Sequence, residues 1–154
     1  MAVYFIDSSA LVKRYISETG STWILNLFNP SLNHEVLVAA ITGVEIVAAI
    51  TRRARGGSIN VTDATTACDQ FKHDFVSEYQ VIEIAENIIN LAIALAQSRG
   101  LRGYDAVQLA AGSTVNDLCI ANNLPPIIFV SADNELNTAA TNEGLTVENP
   151  NNYS

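Results

Sequence analysis

Short apolar runs alternate with helical segments along almost the whole chain, and this alternation limits the possible folds more than any other feature. Four runs are predicted to be strands, and a fifth is predicted as a last edge strand: residues 3–6, 35–38, 80–84, 127–130 and 145–147. Continuous apolar strands are typical of strands buried on both faces, and strands separated by helices favour a parallel sheet. The sequence therefore predicts a three-layer α/β/α domain with a central parallel sheet.

Seven helices are predicted, because each segment begins or ends at residue types typical of helix boundaries. Ser, Thr, Asp and Asn favour the first position of a helix, Gly follows the last turn, and Pro prevents continuation. Ser8 and Ser9 are predicted to cap a first helix that starts near Ala10. The other six helices are predicted at about residues 21–28, 42–55, 62–77, 85–99, 104–123 and 133–142.

Length and composition fit one domain. The chain has 154 residues, of which 49% are hydrophobic, so it can bury a core. A single domain is predicted over residues 1–150 and a polar tail at 151–154, with disorder expected only from Asn149 onward. Cys68 and Cys119 are predicted to be buried free thiols. The sequence has no signal-peptide pattern and no bilayer-spanning run, which predicts a cytoplasmic protein without membrane contact.

The formal net charge of −8 weighs against binding to nucleic acid, because contact with phosphates usually requires a basic surface. This argument weakens if several of the acidic residues share one pocket. Divalent cations bound in such a pocket would offset the charge, and the formal count ignores them.

Four acidic residues stand at informative places. Asp7 and Asp133 follow predicted strands, and Glu45 and Asp105 lie in the first turns of predicted helices. Each also has a purely structural interpretation. Asp7 can begin a helix, Glu45 can complete a capping box with Thr42, and Asp105 and Asp133 can act as caps.

The joint pattern of these acids predicts a metal site. Acids at strand ends and at adjacent helix starts converge on one edge of a parallel sheet, where neighbouring carboxylates need a compensating charge. Ligands that are all oxygen atoms favour Mg²⁺ or Mn²⁺, and the spacing of His34 and His73 does not suggest zinc. Such a site suits phosphodiester cleavage, because the metal lowers the pKa of bound water and stabilises charge on the phosphate.

Four segments together resemble the motifs of PIN domains, and the closest similarity is to VapC-type toxins of bacterial toxin–antitoxin pairs. The segments occur in the usual order and span almost the whole chain. They are Ile6-Asp7-Ser8-Ser9-Ala10-Leu11-Val12-Lys13, then Thr42-Gly43-Val44-Glu45 with Ala48-Ala49, then Arg102-Gly103-Tyr104-Asp105-Ala106-Val107-Gln108-Leu109-Ala110, and finally Val130-Ser131-Ala132-Asp133-Asn134-Glu135-Leu136.

This resemblance implies a parallel sheet with flanking helices and a Mg²⁺- or Mn²⁺-dependent endoribonuclease activity. It implies that the metal-binding and catalytic residues are Asp7, Glu45, Asp105 and Asp133. Ser9 and Ser131 match positions that support the pocket by hydrogen bonds, and Thr42 is assigned to the same supporting group. The resemblance also implies an RNA substrate, a homodimer and inhibition by a small antitoxin protein.

The basic residues near the motifs differ from the usual pattern. Many relatives carry a basic residue directly after the fourth acid, whereas this chain has Asn134. The absence of a basic residue there lowers the affinity expected for the substrate. Lys13, Arg14 and Arg102 are candidate RNA contacts, with a solvated helix face as the other interpretation.

Two other functions are compatible with a similar sheet. A Mg²⁺-dependent phosphatase usually has a second Asp two residues after the first, but Ser9 stands there, and a receiver-like phosphoacceptor requires a Lys that residues 127–133 lack. A catalytically weak PIN-like module that binds or regulates a partner would fit the low basic charge. The presence of all four acids opposes it, because buried carboxylates without a metal are costly.

Overall fold

A five-stranded parallel sheet forms the centre of the molecule, which a computed structural model describes over residues 1–153; Ser154 of the predicted tail lies outside the described residues. The strand order is β3-β2-β1-β4-β5, and every neighbouring pair is parallel. The strands are β1 (Val3–Ile6), β2 (Glu35–Ala39), β3 (Gln80–Ile82), β4 (Ile128–Val130) and β5 (Thr146–Glu148). The predicted α/β fold with a central parallel sheet is therefore confirmed.

Seven α-helices connect the strands and cover both faces of the sheet. They are α1 (Ser8–Leu11), α2 (Ser21–Leu27), α3 (Thr42–Arg55), α4 (Val61–Ser77), α5 (Glu86–Arg99), α6 (Gly103–Ala121) and α7 (Asn134–Asn142). Helices α1 to α4 pack on one face of the sheet and helices α5 to α7 pack on the other, each side forming its own apolar cluster. No helix within residues 1–153 has the length and apolar character needed to cross a bilayer.

Most predicted boundaries agree with the structure within one or two residues, and two of the differences have a clear physical cause. Strand β3 ends at Ile82 rather than residue 84, because its pairing partner β2 ends at Ala39, directly opposite Ile82. The N-cap of α1 is Asp7, not Ser8 or Ser9, and α1 begins at Ser8, two residues before the predicted start near Ala10. The Asp7 carboxylate accepts the cap hydrogen bond, which leaves the Ser9 hydroxyl for another use.

The C-terminal tail is packed through Tyr153, so the expected disorder is wrong for the described residues. Tyr153 stacks on Trp23 of α2 with a centroid distance of 4.9 Å, and its hydroxyl donates to Glu148 at 2.8 Å. Pro150 is buried. Its carbonyl oxygen would lie only 2.5 Å from a Cβ atom placed on Gly20, so the chain approaches Gly20 more closely than a larger residue would allow. Aromatic stacking and this close approach hold the polar segment against the domain.

Gly112 allows α6 to approach the sheet closely. A Cβ at this position would lie 2.9 Å from Cδ2 of Phe129, whose ring is fully buried and stacked on Phe5. We expect Gly112→Val to lower the free energy of unfolding by roughly 2 to 3 kcal/mol, because a packed ring has no room to move. Chemical denaturation measures this loss. Gly103→Val is the matched control, since nothing lies within 4 Å of a Cβ there; an equal loss in both variants would contradict the packing argument.

Candidate active site

The candidate site lies at the carboxyl edge of the sheet, between β1 and β4. From β1 the chain adds β2 and β3 on one side and then crosses to add β4 and β5 on the other. Ligands in open α/β sheets bind at such a reversal of strand order. Asp7 follows β1 and Ser131 follows β4, and the Asp7 amide donates to the Val130 carbonyl at 3.0 Å.

Asp7 is the most firmly held acid of the site, and its side chain is only 3% exposed. One oxygen, Oδ1, accepts from the Ser9 hydroxyl at 2.7 Å and from the Ala10 amide at 3.0 Å. The other oxygen, Oδ2, accepts from the Ser131 hydroxyl at 2.7 Å. Asp7 thus begins a helix, as its structural interpretation proposed, and also lies at the centre of a polar network.

The two serines are oriented by the backbone beyond β4. The amide of Ala132 donates to the Ser9 oxygen at 3.0 Å, and the amide of Asp133 donates to the Ser131 oxygen at 3.1 Å. Each hydroxyl therefore receives a hydrogen bond from the backbone and directs its own proton at Asp7. This arrangement fixes the rotamer of Asp7 and favours its ionised form.

Burial has the opposite and larger effect on Asp7. Removal from water raises the pKa of Asp7 to about 7, against the opposing hydrogen bonds of Ser131 and Ser9. The Glu45 carboxylate adds a smaller increase to the pKa of Asp7. A buried carboxylate with a pKa near neutrality and acidic neighbours lacks a compensating positive charge.

Glu45 does not form a capping box with Thr42, so that interpretation is wrong. The N-cap of α3 is Ile41, which makes no side-chain cap, and Thr42 is a fully buried residue of the first turn. Both side chains instead accept from the Nε2 of Gln108, Thr42 Oγ1 at 2.9 Å and Glu45 Oε1 at 2.9 Å. Burial raises the pKa of Glu45, while hydrogen bonds from Gln108 and Ser8 oppose the shift.

Gln108 is a supporting residue that sequence reasoning missed. It is 1% exposed and lies one helical turn after Asp105 on α6. Its Oε1 has no hydrogen-bond partner among the described residues, which fits an amide whose orientation is set by donation to the Glu45 carboxylate. The available signal was a polar side chain inside the apolar segment after Asp105.

Asp105 does not cap α6, because the cap position is Arg102 and carries no side-chain bond. Burial, together with the smaller effects of the Asp133 and Glu45 carboxylates, raises the pKa of Asp105 to about 6. The Arg102 guanidinium lowers the pKa of Asp105, but by less than burial and the acidic neighbours raise it. Asp105 is therefore within electrostatic reach of two of the other predicted acids.

Asp133 is a helix cap, as one interpretation predicted. Its Oδ1 accepts from the Leu136 amide at 3.0 Å and so begins α7. The cap fixes the direction of the carboxylate beside Ser131.

The four acids belong to one part of the molecule, but in their observed conformations the side chains do not enclose an ion. Within residues 1–153 no three acidic, His or Cys side chains are close enough to hold one metal. Asp7, Glu45 and Asp133 each turn toward a hydrogen-bond donor, as expected of carboxylates that repel one another. The salt bridges of the described residues involve none of the four, and their all-oxygen chemistry fits a hard divalent cation.

A cleft of about 550 Å³ opens beside Glu45, between α1 and α3. Apolar residues form part of its wall, and Lys13 and Arg53 also line it. Glu18 joins these two cations, since Lys13 Nζ and Arg53 Nη2 each lie 3.1 Å from one of its oxygens. Lys13 is buried and paired, so a solvated helix face is wrong for it; its contact with RNA stays a prediction.

Arg14 is held in a structural network, so a solvated helix face is wrong for it. Its guanidinium lies 3.8 Å from the ring centroid of Phe28 and 3.0 Å from Glu78. It also donates to the Tyr79 hydroxyl at 2.7 Å. This cation–π and ion-pair network fixes the segment after α1 to the end of α4, and contact of Arg14 with RNA stays a prediction. Arg102 is exposed, and its RNA contact stays a prediction.

Comparison with known proteins supports the resemblance seen in the motifs. No protein-family model matches the chain. Two curated relatives from different strains of Mycobacterium tuberculosis, ribonucleases VapC45 and VapC49, are each 28% identical over 147 residues, or 96% of this chain and 95% of theirs. The similarity to VapC-type ribonucleases thus extends through all four motifs.

Solved structures share the fold at lower sequence identity. FitAcB from Neisseria gonorrhoeae has a TM-score of 0.62 and 13% identity, over 96% of this chain and 97% of that one. VapBC2 from Rickettsia felis, solved with a DNA fragment from its promoter, has a TM-score of 0.60 and 15% identity, over 96% and 98%. These similarities confirm the PIN-like α/β fold.

Proposed function

We propose that this chain, which is similar over nearly its whole length to VapC ribonucleases, is an endoribonuclease and the toxin of a toxin–antitoxin pair. The observation that carries the proposal is the buried Asp7, held by Ser9 and Ser131 at the switch point of the sheet. Structural capping alone would not require two further hydroxyl donors on the same carboxylate. The names of the curated relatives support RNA as the substrate class.

The proposed cofactor is Mg²⁺ or Mn²⁺, held by Asp7, Glu45, Asp105 and Asp133. When bound, the metal would lower the pKa of a water molecule and stabilise charge on the phosphate. The protein's own part is positioning. Ser9 and Ser131 fix Asp7, Gln108 fixes Glu45, and the Leu136 amide fixes Asp133.

We further propose a small antitoxin as partner, a homodimer as the assembly and the cytoplasm as the compartment. Solved neighbours are toxin–antitoxin complexes, and their fold is the one found here. The cleft beside Glu45 is lined by apolar residues together with charged ones. A peptide segment with apolar side chains could bury them there while blocking the acids.

Gln108→Leu is expected to lower RNA cleavage by roughly 10- to 100-fold, the usual effect of removing a residue that orients a metal ligand. The variant removes the donor to Glu45 and preserves approximate volume. Initial cleavage rates and the affinity for Mn²⁺ are the measurements. Gln97→Leu, at an exposed position on α5, is the control; equal rates in the two variants would show that Gln108 does not position Glu45.

The direct test is incubation of the purified protein, freed of any partner, with total bacterial RNA in Mg²⁺, in Mn²⁺ and in EDTA. We expect discrete cleavage products with either metal and none in EDTA. Cleavage that persists in EDTA would contradict the proposed metal dependence. An absence of cleavage in every condition would favour a catalytically weak module that binds a partner.

A further inference from the structure

A polar groove of about 510 Å³ lies between α7 and β5 and begins directly after Asp133. Its most distinctive feature is a set of five amide side chains. These are Asn134, Asn137, Asn142, Asn149 and Asn152. The hydroxyl residues Thr138 and Thr141 lie among them. The groove therefore lies along the outer edge of the sheet and is linked to the candidate active site by Asn134, which directly follows Asp133.

Several polar groups of this groove are not used by the described structure. Asn149 is committed, since its Nδ2 donates to Asn134 Oδ1 at 3.1 Å and its Oδ1 accepts from the backbone. That bond leaves the Asn134 Nδ2 without a partner among the described residues. Asn137 donates to the Ser131 carbonyl at 2.8 Å, but its own oxygen is buried and unpartnered there. The exposed amides of Asn142 and Asn152 present both donors and acceptors to the groove, whereas the Asn137 oxygen is shielded from solvent.

The charge of the groove disfavours phosphate as its ligand. Among the described residues that line it, Glu148 is the only charged one, and it is an acid. Asn and Thr side chains can contact phosphate, but the affinity for phosphate comes mainly from Lys and Arg, whereas amide side chains also match the donor and acceptor edges of bases. A neutral, flat ligand with mixed hydrogen-bonding groups fits better than an anion.

Local sequence also indicates a role beyond folding. Helix α7 is nine residues long and contains three Asn and two Thr, which are poor helix formers. The Thr hydroxyls donate back to the helix backbone at 3.0 and 2.9 Å. Conflict between local propensity and the observed helix is expected where side chains serve a ligand.

We infer that this groove is a base-recognition subsite for the nucleotide next to the cleaved bond. The inference rests on the proposed ribonuclease function and names what part of the RNA the groove holds. Asn134 directly follows Asp133, so a base bound to its amide would lie next to the proposed metal site. Sequence preference in cleavage then comes from α7 and β5.

The test maps cleavage positions on one structured RNA for the wild type, Asn134→Ala and Asn142→Ala. We expect the ratio of rates at preferred and disfavoured positions to fall about five-fold or more, the usual loss for one base contact. The dependence of the rate on salt should keep its slope, because no phosphate contact is lost. Asn90→Ala, exposed on α5, is the matched control and should keep the wild-type map.

A separate binding measurement distinguishes this inference from the proposed function. Each of the four ribonucleosides is titrated into ¹⁵N-labelled protein while the side-chain amides are followed by NMR. Shifts at Asn134 or Asn142 that differ between bases would support the subsite even if no RNA were cleaved. An unchanged cleavage map in an active enzyme, or no base-dependent shift in an inactive one, would overturn the inference.

Discussion

Asp7→Asn is expected to reduce RNA cleavage by on the order of 10³-fold, since removal of a charged metal ligand forfeits several kcal/mol of transition-state stabilisation. The change preserves shape and leaves acceptors for Ser9 and the Ala10 amide, so the variant should fold. Initial rates at saturating Mg²⁺ provide the measurement. Asp117→Asn makes the same chemical change at an exposed position and should retain full activity.

The Asp7 result separates catalysis from structure. If Asp7 were only the cap of α1, the variant would lose stability and keep most of its activity. If it is a ligand in the candidate site, activity falls while the fold persists. Comparable cleavage by Asp7→Asn and Asp117→Asn would remove Asp7 from the proposed mechanism.

The metal-free protein is expected to lose stability as the pH rises from about 4 to about 7. The pKa of Asp7 is about 7 in the folded chain, against an ordinary value of 3.8. The folded state binds the Asp7 proton more tightly than the unfolded state does. Protonation of Asp7 therefore stabilises the fold fully below the ordinary pKa, and this stabilisation is lost as the pH rises to the pKa of the folded state. The loss attributable to Asp7 is on the order of 2 to 4 kcal/mol.

Urea denaturation at a series of pH values in EDTA measures this loss. The Asp7→Asn variant should show a much flatter pH dependence than the wild type or Asp117→Asn. Added Mn²⁺ should restore stability at pH 7 in the wild type, because the metal binds the folded state. If the stability of the wild type depended on pH as weakly as that of Asp7→Asn, the pKa of Asp7 would not be raised in the folded protein.

The fold could be predicted from the sequence because its signals are local. The bounds of β1 and α3 follow from an apolar run and from Gly56 after the helix. The edge strand β3 was overextended, since its end depends on where β2 stops. The tail was misjudged for a similar reason, because Tyr153 is ordered by Trp23, which lies far away in the sequence.

The candidate site was predicted unevenly. The motifs and strand ends were sufficient to select Asp7 and its serine neighbours. The capping box at Thr42 and Glu45 satisfied a local rule, yet the structure uses both residues to accept from Gln108, 66 and 63 positions away. The structural contacts of Arg14 were equally hidden, because its partner Tyr79 lies 65 positions away. Side-chain roles that depend on distant partners cannot be derived from spacing alone.

The four acids are proposed to form one metal site that cleaves RNA. The decisive experiment titrates Mn²⁺ into EDTA-treated, dialysed protein while bound Mn²⁺ is followed by EPR and RNA cleavage is measured in the same samples. Cleavage is expected to rise in proportion to saturable binding of Mn²⁺, and Asp7→Asn and Asp105→Asn are expected to lose both. Full cleavage before any Mn²⁺ is bound, or undiminished binding in both variants, would contradict the proposed metal site.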